Sequence, residues 1–205
     1  MNIDDKNYKG FTWFILVLFG ISVLLAYGFS LFLKKNDLEI PFYFDLPISA
    51  PAIYALLFSL FNHCAWKLPL FKMVGLIKTE NLEGEWKGIL KSSYDKFVSD
   101  IPAELIIKQT ATSVKIKGKF NQSRSCSVHE SFGVDEVCNS TALFFFYRNE
   151  PNYDATETMS IHEGSTKLVY NKEDDSLSGY YYSGRDRNNY GTIKVYRTKR
   201  KLSFS

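Results

Sequence analysis

Residues 81–90 read NLEGEWKGIL. Leu82, Gly84, Trp86, Gly88 and Leu90 fall on one face of an extended chain, with Glu83, Glu85 and Lys87 between them. Side chains of a strand alternate with a period of two, so this pattern is a half-buried β-strand. The same reading continues downstream. Ile101–Gln109 is a second strand, and in the third Val114, Ile116, Gly118 and Phe120 alternate with Lys115, Lys117 and Lys119. Arg124–Ser131 is a weaker fourth, and Thr141–Arg148 (TALFFFYR) an aromatic fifth. Thr158–Glu163 and Thr166–Asn171 read as one strand broken at Gly164, followed by Leu177–Ser183 and Gly191–Lys199. The polar turns at residues 172–175 and 184–189 are short, which makes the late strands antiparallel. About eight strands without an intervening helix predict a small antiparallel β-barrel over residues 82–200, its interior filled or holding one small ligand. A β-sandwich is the alternative fold.

Upstream the pattern changes. Phe11–Leu33 is 23 residues without a charge, and at about 1.5 Å per residue a helix of that length covers a hydrocarbon core of about 30 Å. A second uncharged run, Leu46–Trp66, has Pro47 and Pro51 in its first turns and Lys67 at its close. Residues 1–71 therefore read as a two-span membrane anchor (11–33 and 46–66), and residues 72–81 as a linker. Lys6, Lys9, Lys67, Lys72 and Lys78 flank the spans outside the connecting loop, which carries Lys34 and Lys35. That asymmetry predicts a multi-pass protein with both termini in the cytoplasm. Ser22, Ala26 and Ser30, spaced by four, let a neighbouring helix approach closely, either within the hairpin or in lateral assembly.

The chain has 205 residues, 45% of them hydrophobic and 23% charged, with a net charge of +3. Beyond residue 75 the balance is 19 basic to 17 acidic, which excludes a domain that coats DNA or RNA polymers. Cys64, Cys126 and Cys138 form no C-x-x-C pair and suit a reducing compartment. The three histidines, His63, His129 and His162, have no metal-ligand spacing, and neither a nucleophile elbow nor a P-loop is present. The residues give no sign of an enzyme, a metal or a cofactor.

Binding chemistry is better represented. Tyr180 and Tyr182 run into Arg185, Arg187, Asn189 and Tyr190, and Tyr147 and Arg148 end another strand. Guanidinium groups bond phosphate in pairs, aromatic rings stack bases, and asparagine pairs with base edges. These eight residues are the candidate ligand site; a polar hairpin between tyrosine-rich strands is the structural alternative.

The Gly-x-Trp at Gly84 and Trp86 resembles the first-strand motif of lipocalin-like barrels, in which the indole plugs one end and a basic residue of the last strand covers it. Arg197, on one face with Ile193 and Val195, matches that position, and the resemblance implies a structural role for it, smaller than that of Trp86. At the scale of the whole chain, two N-terminal spans, a linker and a strand-rich tail resemble the transmembrane β-barrel effectors of bacterial CBASS antiphage systems. The resemblance rests on the spans, on Leu82–Trp86 and on the closing segments Gly179–Tyr182 and Arg187–Ile193. It implies a cyclic dinucleotide or related cyclic oligonucleotide as ligand, homo-oligomers on activation, and disruption of the bacterial inner membrane in abortive infection. Two other readings remain open at this point: a membrane-tethered, lipocalin-like carrier of an apolar ligand, and a non-enzymatic anchor for a partner protein.

Overall fold

A computed structural model of the chain describes residues 8–36, 46–135, 140–155, 159–184 and 187–199. They fall into two compact units that divide between Lys78 and Thr79.

The N-terminal unit holds three helices, α1 (Tyr8–Lys35), α2 (Leu46–His63) and the short α3 (Pro69–Met73). Among the described residues one helix, Lys9–Lys35, is long and apolar enough to cross a membrane, with 27 residues and a mean hydropathy of 2.4. The second expected span is shorter than its apolar run. α2 stops at His63, whose Nδ1 lies 2.9 Å from the Ser59 carbonyl, and the chain continues as a 3-10 turn, Ala65–Lys67. Leu68 precedes Pro69 and takes an extended backbone, as a residue before proline does. Eighteen helical residues rise only about 27 Å. α1 and α2 pack through Phe14 against Phe61 and Phe19 against Tyr54. Ser22 and Ala26 are buried in this unit, and Ser22 returns its hydroxyl to the Phe19 carbonyl at 2.6 Å.

The second unit is a closed barrel of eight antiparallel strands: β1 (Gly84–Ser92), β2 (Ile101–Gln109), β3 (Val114–Phe120), β4 (Ser123–Asp135), β5 (Ser140–Pro151), β6 (His162–Asn171), β7 (Ser176–Ser183) and β8 (Tyr190–Lys199). Each strand pairs with its neighbours in sequence, and β8 closes on β1 with Trp86 opposite Arg197. The inward set of each strand fills the core: Trp86 and Leu90, Leu105 and Ile107, Val114 and Ile116, Leu143 and Phe145, Leu168, Leu177, Ile193 and Val195. β6 begins later than expected, since Met159–Ile161 lie outside it, and Gly164 stands within an unbroken ladder. β4 is longer than the sequence indicates. It pairs with β3 only from Lys117 to Lys119, and beyond that point Lys115 on β3 reaches the buried Glu130 at 3.0 Å.

The two ends of the barrel differ. At one, Trp86 is fully buried and donates its indole N–H to the Leu82 carbonyl at 3.0 Å. The Arg197 guanidinium lies 4.1 Å above the indole, as the sequence predicts. Its Nε donates to Asp175 at 3.0 Å, and its two terminal nitrogens donate to the Glu83 and Asn81 carbonyls at 2.7 and 2.9 Å. Gln109 completes this seal, accepting the Leu82 N–H at 2.7 Å and donating to the Glu80 carbonyl at 3.0 Å. The other end is hollow.

Candidate functional site

The hollow end is a cavity of about 440 Å³, bounded by the β1–β2, β3–β4, β5–β6 and β7–β8 connections. Its floor is apolar, with Leu90, Leu105, Phe145 and Ile193. Above the floor lie two nearly buried phenols, Tyr147 and Tyr181. Both occupy space that glycine leaves open. A Cβ on Gly164 would sit 2.4 Å from the Tyr147 hydroxyl, and one on Gly191 would sit 2.5 Å from the Tyr181 ring. Tyr147 donates to the Tyr182 carbonyl at 3.3 Å. Burial pushes its hydroxyl up to about 12 and raises that of Tyr181 as well, so both are neutral phenols in the physiological range.

The mouth is polar. Ser92, Ser123, Ser125 and Ser183 present hydroxyls, and Asn149, Asn189 and Gln122 present amides. The Arg187 guanidinium lies over the Tyr94 ring at 5.9 Å. Two connections are tied together here. Ser93 Oγ accepts the Tyr190 N–H at 3.0 Å, and the Phe97 and Tyr190 rings meet at 5.7 Å between centroids. Lys96 and Phe97 both have left-handed backbones, at φ 57° and 64°. Asp95 holds that turn by accepting the N–H groups of Phe97 and Ser99 at 3.1 and 2.9 Å. Hydrogen bonding from Ser99 keeps its carboxyl below the usual range, so it stays ionised. Among the described residues no group of three His, Cys, Asp or Glu side chains is gathered to hold a metal ion.

The eight residues singled out in the sequence separate on the folded chain. Tyr147, Arg187 and Asn189 line the cavity. Tyr180 and Tyr182 are exposed on the outer face, edge to face at 5.5 Å, where they border a shallow groove with Phe144, Phe146 and Lys167. Arg148 is also exposed and pairs with Glu150 at 3.4 Å. Tyr190 packs on Phe97 at the rim with half of its surface in solvent. Arg185 lies outside the described residues. Sequence reasoning left Tyr181, the middle of the tyrosine run, out of the candidate set and passed over Tyr94, Asn149 and His162. For Tyr181 the signal was present: Leu177 is buried, and two-residue alternation carries the inner face through Gly179 to Tyr181. For Tyr94 and His162, on or beside connections, no periodicity applies.

A small barrel sealed at one end and hollow at the other is the architecture of a small-ligand receptor. The family model for the Cap15 cyclic dinucleotide receptor domain matches residues 77–197, all of the barrel but the last two residues of β8, and the chain belongs to this family. It is thereby a CBASS effector, as its sequence resemblance implied. It is similar to the CD-NTase-associated protein 15 of Yersinia aleksiciae, with 29% identity over 179 residues, covering 86% of this chain and 84% of that protein.

Proposed function

We propose that the cavity at the open end of the barrel binds a cyclic dinucleotide, and that binding drives assembly of the N-terminal helices in the inner membrane. The observation that carries this reading is the joint placement of Tyr181, Tyr94, Arg187, Asn149 and Asn189 around one 440 Å³ hollow. Its size lies in the range of about 300–1,000 Å³ usual for small-molecule sites. The ligand asks for this mixture: aromatic faces for two bases, a guanidinium for phosphate, amides for base edges. The polar mouth argues against a carrier of apolar ligands, although the floor is apolar.

In this reading residues 1–71 anchor the protein by two helices, both termini are cytoplasmic, and the assembled helices breach the bilayer and abort infection. The protein acts without catalysis. A ligand drives assembly only if it binds the assembled state more tightly than the dispersed one. The test is a thermal-shift and calorimetric titration of the full chain in detergent micelles with cyclic dinucleotides, followed by dye release from liposomes that carry it. At about 100 times Kd a ligand adds about 2.7 kcal/mol of stability. Saturable binding together with ligand-dependent release supports the reading. Binding without release removes the membrane step, and no binding removes the whole.

A further inference from the structure

We infer that Asn149 and His162 form the base-reading pair of the cavity and select a guanine-bearing cyclic dinucleotide, an inference that rests on the cyclic-dinucleotide reading above. The two residues are register partners across β5 and β6, and both line the cavity. Asn149 is only 4% exposed. Among the described residues its one side-chain hydrogen bond is a weak one, from Nδ2 to the Met159 sulfur at 3.7 Å. Buried amides are ordinarily satisfied by strong partners, because the unmade bond is costly. An amide kept nine-tenths buried, facing a hollow, with its oxygen unclaimed among the described residues, is suited to a ligand.

The tautomer of His162 follows from its neighbour. Nδ1 lies 3.0 Å from the Ser160 carbonyl, and a carbonyl only accepts. Nδ1 therefore carries the proton, and Nε2 of the neutral ring is a bare acceptor. The ring is held edge-on to Tyr147, with centroids 6.5 Å apart. Burial, with the nearby Arg187 charge adding to it, keeps the imidazole below its usual range and hence neutral near pH 7.

The pair offers two acceptors, Asn149 Oδ1 and His162 Nε2, and one donor, Asn149 Nδ2. The Watson–Crick edge of guanine is the complement, with donors on N1 and N2 and an acceptor at O6. Adenine has a single donor group flanked by acceptors, and uracil has one donor and two acceptors. Either can satisfy the amide, but adenine's second amino N–H then points to the Hoogsteen side and uracil has no second donor, so neither offers Nε2 a donor beside the amide on one edge as guanine does. Discrimination by a site built to pair a buried donor or acceptor exceeds what shape alone provides.

The test is calorimetry on the full chain in detergent micelles with cyclic di-GMP, cyclic GMP–AMP, cyclic di-AMP and cyclic di-UMP. The two guanine ligands are expected to bind about ten- to a hundredfold more tightly than the others, the discrimination of one good base contact. Asn149→Leu and His162→Phe should each erase that preference, lowering the affinity for the guanine ligands more than that for cyclic di-UMP. His162→Gln, which retains an acceptor, should restore part of it. Asn149→Ala removes donor and acceptor without added bulk or charge and should lose the preference even if Asn149→Leu fails to fold. Tight binding without guanine preference, or a preference that survives both Asn149→Ala and His162→Phe, overturns the pair alone. Failure of all four ligands to bind overturns the cyclic-dinucleotide reading, and the pair with it.

Discussion

Replacing Arg197 by methionine keeps an unbranched stem of similar bulk and removes the guanidinium alone. In the folded barrel that group is 4% exposed and bonded on every side, to Asp175, to the Glu83 and Asn81 carbonyls, and to the face of Trp86. Charge-assisted hydrogen bonds contribute about 1.5–3 kcal/mol each, so three partners set an upper bound of about 9 kcal/mol. The loss is smaller than this bound. Asp175 is 28% exposed and rehydrates in part once its partner is gone, while the two carbonyls are left facing a thioether. Breaking a buried pair from one side has a typical effect of about 3–5 kcal/mol, and that is the expected destabilisation of Arg197→Met. Trp86→Ala is expected to lose a comparable about 3–5 kcal/mol. The sequence ranks the arginine below the tryptophan, and the hydrogen-bond geometry removes that ranking. The assay is urea unfolding of the full chain in micelles with Trp13 and Trp66 replaced by phenylalanine, so that Trp86 is the reporting indole. Asp175→Asn, which still accepts from Nε, should lose only about 1–2 kcal/mol. A loss below about 1 kcal/mol for Arg197→Met would refute the view that this network seals the barrel.

Arg187→Ala should weaken a cyclic dinucleotide about ten- to a hundredfold with an unchanged melting temperature, because its described contact is with the exposed Tyr94 ring; unchanged affinity by calorimetry would count against the phosphate role. Gly164→Ala forces its Cβ to 2.3 Å from the Tyr182 carbonyl and 2.4 Å from the Tyr147 hydroxyl, so it should destabilise by about 1–3 kcal/mol and lower ligand affinity. Thermal unfolding and titration of that variant check both, and wild-type behaviour would mean that the Tyr147 packing is looser than described. His162 has its folded pKa lowered by burial, so its contribution is present above the ordinary value of about 6.5 and is lost as pH falls through the folded value. The wild type should therefore lose more stability than His162→Gln between about pH 7 and pH 5; parallel melting curves across that window would show a solvated ring.

The barrel was legible because its strands announce themselves by alternation. Ile101–Gln109 and Val114–Phe120 have the same bounds in sequence and structure, since both are half-buried strands with lysine facing solvent. The limits of β4 and β6 were not legible, for local reasons. Ser, Gly and His in RSCSVHESFGV give no alternation, and β4 has a register shift between Ser127 and His129. At β6 the glycine that looked like a break is the vacancy into which Tyr147 fits. In the site, composition pointed to the β7–β8 hairpin, and the structure puts Tyr180 and Tyr182 on its outer face. Tyr180 and Tyr182 are two of three consecutive tyrosines, and only the phase fixed by Leu177 shows that the middle one points inward. Asn149 and His162 became candidates only once β5 and β6 were aligned, because 12 residues separate them in the chain and each alone is an unremarkable polar residue. In α1, Ser22 and Ala26 of the small-residue strip are buried inside their own unit.

The position of the cavity constrains how binding can act. The chain enters the barrel at Leu82–Gly84, in the end sealed by Trp86, Arg197 and Gln109, whereas the cavity opens at the other end. A signal passed along the barrel wall would need strands to slide, and a one-residue slip turns an entire inner face outward. Eight closed ladders with a filled core oppose that. The elements free to respond are the connections at the mouth: the strained turn at Lys96 and Phe97, the Tyr190 contacts that tie it to the β7–β8 connection, and Arg187 over Tyr94. A ligand that draws Arg187 from Tyr94 toward a phosphate changes the surface of that rim while leaving the sealed end as it is. Trypsin cleavage in the rim connections should accordingly become ligand-dependent, whereas hydrogen exchange at the Leu82 and Arg197 amides should not. Equal ligand-induced protection at both ends would mean that the barrel responds as one body and that the rim has no separate part in the response.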